Sequence, residues 1–225
     1  MLLPRETFAR GSVEVAPALL GCVIEHETAE GLVAVALTEV EAYQGQADPA
    51  SHAYRGRTAR NAVMFGPPGH TYVYFTYGMH FCVNLVCLPE GTASAVLLRA
   101  GRVIQGEDLA RARRTAAGPA GRDLARGPAR LCQALAINRA QDGADVCDPA
   151  SPLRVRWPAQ AGEVPLPGAA ISSGPRVGIS AAADLPWRFW ITGDPTVSAY
   201  RPYTPRRTRQ KPVSGQARSD GTIPL

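Results

Sequence analysis

Glu39, Glu41 and Tyr43 occupy alternate positions of the segment LTEVEAY. An extended chain, with its side-chain period of two, turns all three to one face. If that face lines a cleft, a carboxylate flanked by an aromatic ring is a candidate general base for activating water; if it meets solvent, it is only a charged strand edge. The pattern alone leaves both readings open. His52 lies in the polar loop QGQADPASHAYRGRTARN, where an isolated histidine is commonly a surface residue. Asn84 sits between Val83 and Leu85, and a buried amide there either satisfies neighbouring backbone or reads the edge of a planar base. In HTYVYFTYGMHFCVN, residues 70–84, Tyr72 and Tyr74 share one face and Val73 and Phe75 the other, and Tyr77-Gly78 then interrupts the run. A β-hairpin is expected, with Tyr77 at its tip facing water, where burial gives an aromatic nothing.

The elements that must position these residues are mainly strands. A short helix is expected over 13–21, ending at Gly21, followed by the strands CVIEH and LVAVALTEVEAY joined by a turn at residues 29–31. After the hairpin comes the strand SAVLLRA, ending near Arg99. Residues 103–127, rich in Ala, Arg and Gly, read as one or two basic helices with a loop. Pro128 marks the start of a helix carrying Leu131, Leu135 and Ile137. Residues 148–175 read as Pro/Gly-rich loops with short strands, PRVGI and WRFWI as the last strands, and the chain beyond Ser198 as a mobile basic tail.

A chain of 225 residues, 45% hydrophobic and without internal repeats, is enough for one buried domain. Cysteines 22, 82, 87, 132 and 147 are odd in number and lack paired metal-ligand spacing, so buried reduced thiols and no metal are expected. No signal-like leader and no run of about twenty apolar residues occurs, which points to a soluble intracellular protein without a membrane partner. A net charge of +5 and a pI near 9.2 suggest an anionic partner. Of the 24 basic residues only Lys211 is a lysine, a bias that a GC-rich genome would also produce. Clusters at Arg55, Arg57 and Arg60, from residue 99 to 130, and at Arg201, Arg206, Arg207 and Arg209 could line a phosphate backbone.

The string VEAYQGQADPASHAYRGRTARNAVMFGPPGHTYVYFTYGMHFCVNLV, followed by AVLLRA, LCQALAIN and PRVGI, closely resembles the alkyladenine (3-methyladenine) DNA glycosylase family over roughly residues 4–200. The resemblance implies an α+β fold: a single domain, 1–200, with a curved, mainly antiparallel sheet, flanking helices and a protruding hairpin, and a basic tail at 201–225. It implies a monofunctional base-excision repair enzyme that needs no cofactor or metal, acts as a monomer on damaged double-stranded DNA, flips an alkylated purine and hydrolyses its N-glycosidic bond. By resemblance Glu41 matches the general base and Arg99 the arginine that positions its water; strand parity does not separate Glu41 from Glu39. Tyr43 matches the aromatic on one face of the flipped base, His52 and Tyr74 those on the other, and Asn84 the amide at the pocket floor. Tyr77 matches the minor-groove wedge, with Met79 and His80 beside it near the DNA. His80 stands where the family pattern leads one to expect tyrosine. Two other classes stay in view: a non-catalytic nucleic-acid-binding module, which would tolerate loss of Glu41, and a hydrolase of free nucleosides, which has no use for a tip aromatic.

Overall fold

In a computed structural model that describes residues 1–76, 78–114, 120–159 and 170–204, the apolar runs of the chain form one curled antiparallel sheet. The order along the chain is α1 (Ser12–Ala18), β1 (Val23–Thr28), β2 (Gly31–Tyr43), β3 (Thr71–Thr76), β4 (His80–Cys87), β5 (Ser94–Gln105), α2 (Glu107–Arg113), α3 (Pro128–Ala134), β6 (Leu153–Arg156), β7 (Ile171–Gly174) and β8 (Arg188–Ile191). Across the sheet the strands run β3-β4-β5-β2-β1-β6, and β8 pairs with both β2 and β7. One long edge of β2 is covered by β5; its other edge pairs first with β1 and then, at Glu39 to Glu41, with β8.

The residue pattern of β2 explains how acidic side chains enter a hydrophobic sheet. Val33, Val35 and Leu37 belong to the main core, as do Val40 and Ala42, so core residues are odd-numbered before position 38 and even-numbered after it. Thr38 causes the switch. Leu37 pairs with Gly101 and Glu39 with Ala100, which makes Thr38 an extra residue on β2; Val40 then pairs with Leu98, which makes Arg99 an extra residue on β5. Such bulges re-aim side chains, and a one-residue shift moves a whole strand's side chains to the opposite face. Without Thr38, Glu39, Glu41 and Tyr43 would point into the core. The bulge is held by the Thr38 hydroxyl against that of Thr196 (2.7 Å), which in turn donates to Asp194 (2.6 Å).

Helices α1 and α3 pack on the core face, contributing Val15 and Ala16 and, from α3, Leu131, Cys132 and Ala134. Pro128 begins α3, as its fixed φ favours. Part of the arginine-rich stretch is structural: Arg113 reaches Thr28, Glu30 and the Ala134 carbonyl, and Arg114 donates to Gln133, tying α2 to β1 and α3.

Several expectations need correction, among them the helix after Pro128, which ends at Ala134 and so carries Leu131 but not Leu135 or Ile137. Helix α1 stops at Ala18; Gly21, at φ 86°, instead turns the chain into β1 while its N–H donates to the Leu37 carbonyl. PRVGI forms no strand: the strand lies just before it, at β7, because the backbone donors of Val177 and Gly178 go to the Glu41 carboxylate and the Arg201 carbonyl rather than to a ladder partner. The strand SAVLLRA continues to Gln105, so residues 103–105 are strand, and WRFWI contributes β8. Residues 205–225, most of the expected tail, lie outside the described residues.

Candidate active site

Strand register alone brings most of the candidate residues together. Glu41 on β2 pairs with Leu97 on β5, Leu97 with Asn84 on β4, and Asn84 with Tyr72 on β3, forming one row across four strands. All four line a cavity of about 430 Å³ on the face opposite the main core. Tyr74 and Cys82, paired with each other, and the bulged Arg99 extend the lining; Tyr43 and His52 close it, and Val177 to Ile179 form the wall contributed from beyond β7. Glu41, Arg99, Tyr43, His52, Tyr74 and Asn84 therefore surround a single space. Met79 and His80 do not line it: Met79, 68% exposed, immediately precedes β4, and His80 begins it. Tyr77 lies outside the described residues.

Glu41 is buried and receives the Val177 N–H on Oε1 (2.7 Å), Arg99 Nη1 on the same oxygen (3.2 Å) and the Tyr43 hydroxyl on Oε2 (2.9 Å). Each carboxylate oxygen can accept two hydrogen bonds, so Oε2 keeps capacity toward the cavity. Burial first, and then the charge of Glu41, push the Tyr43 hydroxyl far above its ordinary value, so it stays protonated and donates. Glu39 is also buried but does not line the cavity: its carboxylate accepts from Arg99 Nε (2.7 Å), Arg188 Nε (2.7 Å), Ser198 N–H (2.7 Å) and the Ser198 hydroxyl (2.9 Å). Burial alone would raise its pKa, but Arg99 and Arg188 outweigh that and hold it below the ordinary value. Arg99 is thereby gripped by Glu39 through Nε while its Nη1 faces Glu41.

The aromatic walls are equally fixed. His52 and Tyr74 meet edge to face with ring centroids 4.6 Å apart, and Tyr72 stacks on Tyr74 at 5.7 Å. Nδ1 of His52 lies 3.0 Å from the Tyr72 hydroxyl. Desolvation, with the charge of Arg60, lowers the His52 pKa, so the ring is neutral at neutral pH. Burial raises the Tyr74 hydroxyl well above its ordinary value. Behind Tyr43 the guanidinium of Arg176 sits 4.6 Å from the ring centroid and 5.1 Å from that of Trp187. It is 1% exposed and paired with the fully buried Asp48, through Nη2 to Oδ1 at 2.9 Å. Asp48 also accepts the N–H groups of Gln44 and Ala50, which fixes the loop that carries His52. At the floor, the Asn84 amide donates to the Tyr72 carbonyl (3.0 Å), so its orientation is set by the sheet.

Sequence reasoning did not single out Val177, Ser198, Arg188 or the Asp48–Arg176 pair, whose partners lie more than a hundred residues away. Tyr72 did carry a signal, since it shares its strand face with Tyr74. Among the described residues no group of three or more His, Cys, Asp or Glu could hold a metal ion, and no helix is long and apolar enough to cross a membrane. All five cysteines are free thiols; Cys147 is only partly buried.

Comparison with known proteins converges on one family. A family model described as methylpurine-DNA glycosylase matches residues 6–195. The chain is 57% identical to a protein of Streptomyces avermitilis over 209 residues, covering 92% of this chain and 95% of that protein. It is 52% identical to one of Leifsonia xyli over 206 residues (88% and 92%) and 51% identical to one of Frankia casuarinae over 207 residues (90% and 93%). All three relatives carry the provisional name 3-methyladenine DNA glycosylase.

Proposed function

The chain belongs to the methylpurine-DNA glycosylase family, and from that premise we propose that it is a 3-methyladenine DNA glycosylase in which Glu41 activates the attacking water. The observation that carries the reading is the pair of buried carboxylates with unequal surroundings: Glu39 is held by two arginines and Ser198 away from the cavity, whereas Glu41 lines it and keeps acceptor capacity on Oε2 among the aromatic rings.

A purine alkylated at N3 or N7 is cationic and a good leaving group, so selective extrusion and a placed water supply most of what the reaction needs. The flipped base stacks between Tyr43 and the His52–Tyr74 wall. A neutral His52 adds no repulsion to a cation there, and the electron-rich rings attract it. Asn84, at the floor, meets the edge of the base and disfavours an exocyclic amino group. Water held by Glu41 and Arg99 attacks C1′ while the carboxylate takes its proton. The C1′–N bond breaks with its electron pair passing to the ring, so the cationic base leaves neutral and the sugar keeps the hydroxyl. Tyr77, between Thr76 and Gly78, is the residue assigned to fill the gap in the stack, with Met79 and His80 alongside.

Strand cleavage through an imine requires an amine near C1′, and the chain has no lysine before Lys211. Arginine does not substitute, since its guanidinium stays protonated. The test is base release from duplexes carrying one defined lesion. Glu41→Gln is expected to slow release by on the order of 10² to 10⁴ while keeping lesion binding, and the wild-type product strand is expected to stay intact until alkali is added. Undiminished release by the variant would remove Glu41 from the mechanism; lesion binding without any release by the wild type would favour the binding-module reading.

A further inference from the structure

A second cavity, of about 370 Å³, abuts the first and shares Arg99 and Val177 with it. It is lined in addition by Arg126, Arg130, Ser198 and Arg201. Charge distinguishes the two spaces. Lining the first, Glu41 faces Arg99, one charge against one. Around the second, one carboxylate, Asp123, serves Arg126 (3.3 Å) and more loosely Arg130 and Arg122 (both 3.9 Å). Arg201 has no ion pair among the described residues, while its carbonyl accepts the Gly178 N–H at 3.1 Å and fixes it beside the catalytic wall. Arg126 is further anchored on the Val197 carbonyl at 2.9 Å. The cavity is thus a concave space with an uncompensated positive charge and guanidinium forks, which match the oxygens of a phosphate.

We propose that this second cavity binds a phosphodiester flanking the flipped nucleotide, with Arg130 and Arg201 as the binding residues and Arg126 as their fixed support. The assignment rests on the glycosylase reading, which hangs the sugar at Glu41. A nucleotide whose base fills the first cavity must carry its phosphates out beside the sugar, and Arg99 and Val177 form the boundary over which that linkage passes. Arg99 does not itself neutralise the phosphate, because both glutamates already engage it.

The experiment compares wild type with the Arg130→Gln/Arg201→Gln double variant on a lesion duplex, varying salt and placing a neutral methylphosphonate at each linkage flanking the lesion. The expected result is a salt slope of log K reduced by about 1 in the variant. One methylphosphonate should weaken the wild type and add nothing further in the variant. Equal methylphosphonate losses in both proteins at every linkage, or an unchanged slope, would overturn the assignment. So would competition by inorganic phosphate, at matched ionic strength and dependent on the two arginines, without any methylphosphonate effect, since the site would then take free phosphate. Because the methylphosphonate is on the DNA, that arm does not depend on the variant folding. Base release by the wild type on the unmodified backbone, measured alongside, tests the glycosylase reading separately.

Discussion

Glu39 and Glu41 are the same side chain on the same face of one strand, and the different roles proposed for them follow from what reaches each. Glu39 meets two guanidiniums and both polar groups of Ser198, whereas Glu41 meets a backbone N–H, a phenol and the far end of Arg99. On the proposed mechanism Glu39 is therefore a positioning residue, acting through Arg99. Glu39→Gln removes the charge that compensates two buried arginines, and breaking such a pair costs on the order of 3 to 5 kcal/mol. The expected outcome is a melting temperature clearly below that of Glu41→Gln, together with a slower single-turnover rate at little-changed duplex affinity. A variant with wild-type melting and wild-type rate would show that Arg99 does not depend on Glu39. The alternation of LTEVEAY reveals the shared face of these two residues but not their different surroundings, because Arg188 and Ser198 arrive from 149 and 159 residues along the chain.

At the scale of elements, the loop carrying His52 and the segment 175–179 are clamped by one buried ion pair. Asp48 takes two N–H groups of its own loop while Arg176 underlies the Tyr43 ring. Asp48→Asn is expected to destabilise the fold by about 3 to 5 kcal/mol, leaving Arg176 uncompensated. Adding Arg176→Gln should cost much less than the sum of the two single changes, a coupling read by denaturant unfolding of the four proteins of the cycle. Simple additivity would mean that the pair does not act as a clamp. The sheet's local pairs, β1 with β2 and β3 with β4, were legible from alternation and turns. PRVGI was not, although it is as apolar as a strand, because a carboxylate across the cavity claims the N–H that a ladder would have used.

For the whole molecule, three groups, His26 and Glu39 in the interior and the more exposed His52, give stability the same pH dependence. Desolvation lowers the pKa of His26, which is held against the Leu135 carbonyl, and that of His52. Below their ordinary value of 6.5 the unfolded chain therefore takes protons that the folded protein refuses, and stability falls with falling pH. Glu39, held below 4.5, adds a second loss as pH falls through its folded value. Melting temperature is expected to decline from near pH 6.5 downward and again below 4.5, with the first step reduced in His26→Gln. A profile flat from pH 8 to 5 would contradict the lowered histidine pKa values. At this scale the predominance of strands was readable in the order of apolar runs, whereas the curved antiparallel sheet with flanking helices was legible only through the family resemblance. The joining of β6 to β1 and of β8 to β2 was not, since no local pattern encodes which edge a distant four-residue strand will seek.

The paired extra residues at Thr38 and Arg99 also constrain how this chain can change over generations. Loss of either residue alone would slip β2 against β5 and turn a stretch of side chains inside out, whereas loss of both would restore the register but return the acidic face to the core. Neither deletion leads gradually to a working protein. In evolutionary terms the two positions form a locked insertion, free to vary in composition where the chemistry permits but not in length, and lineages descending from this chain are expected to accumulate their gains and losses of residues elsewhere.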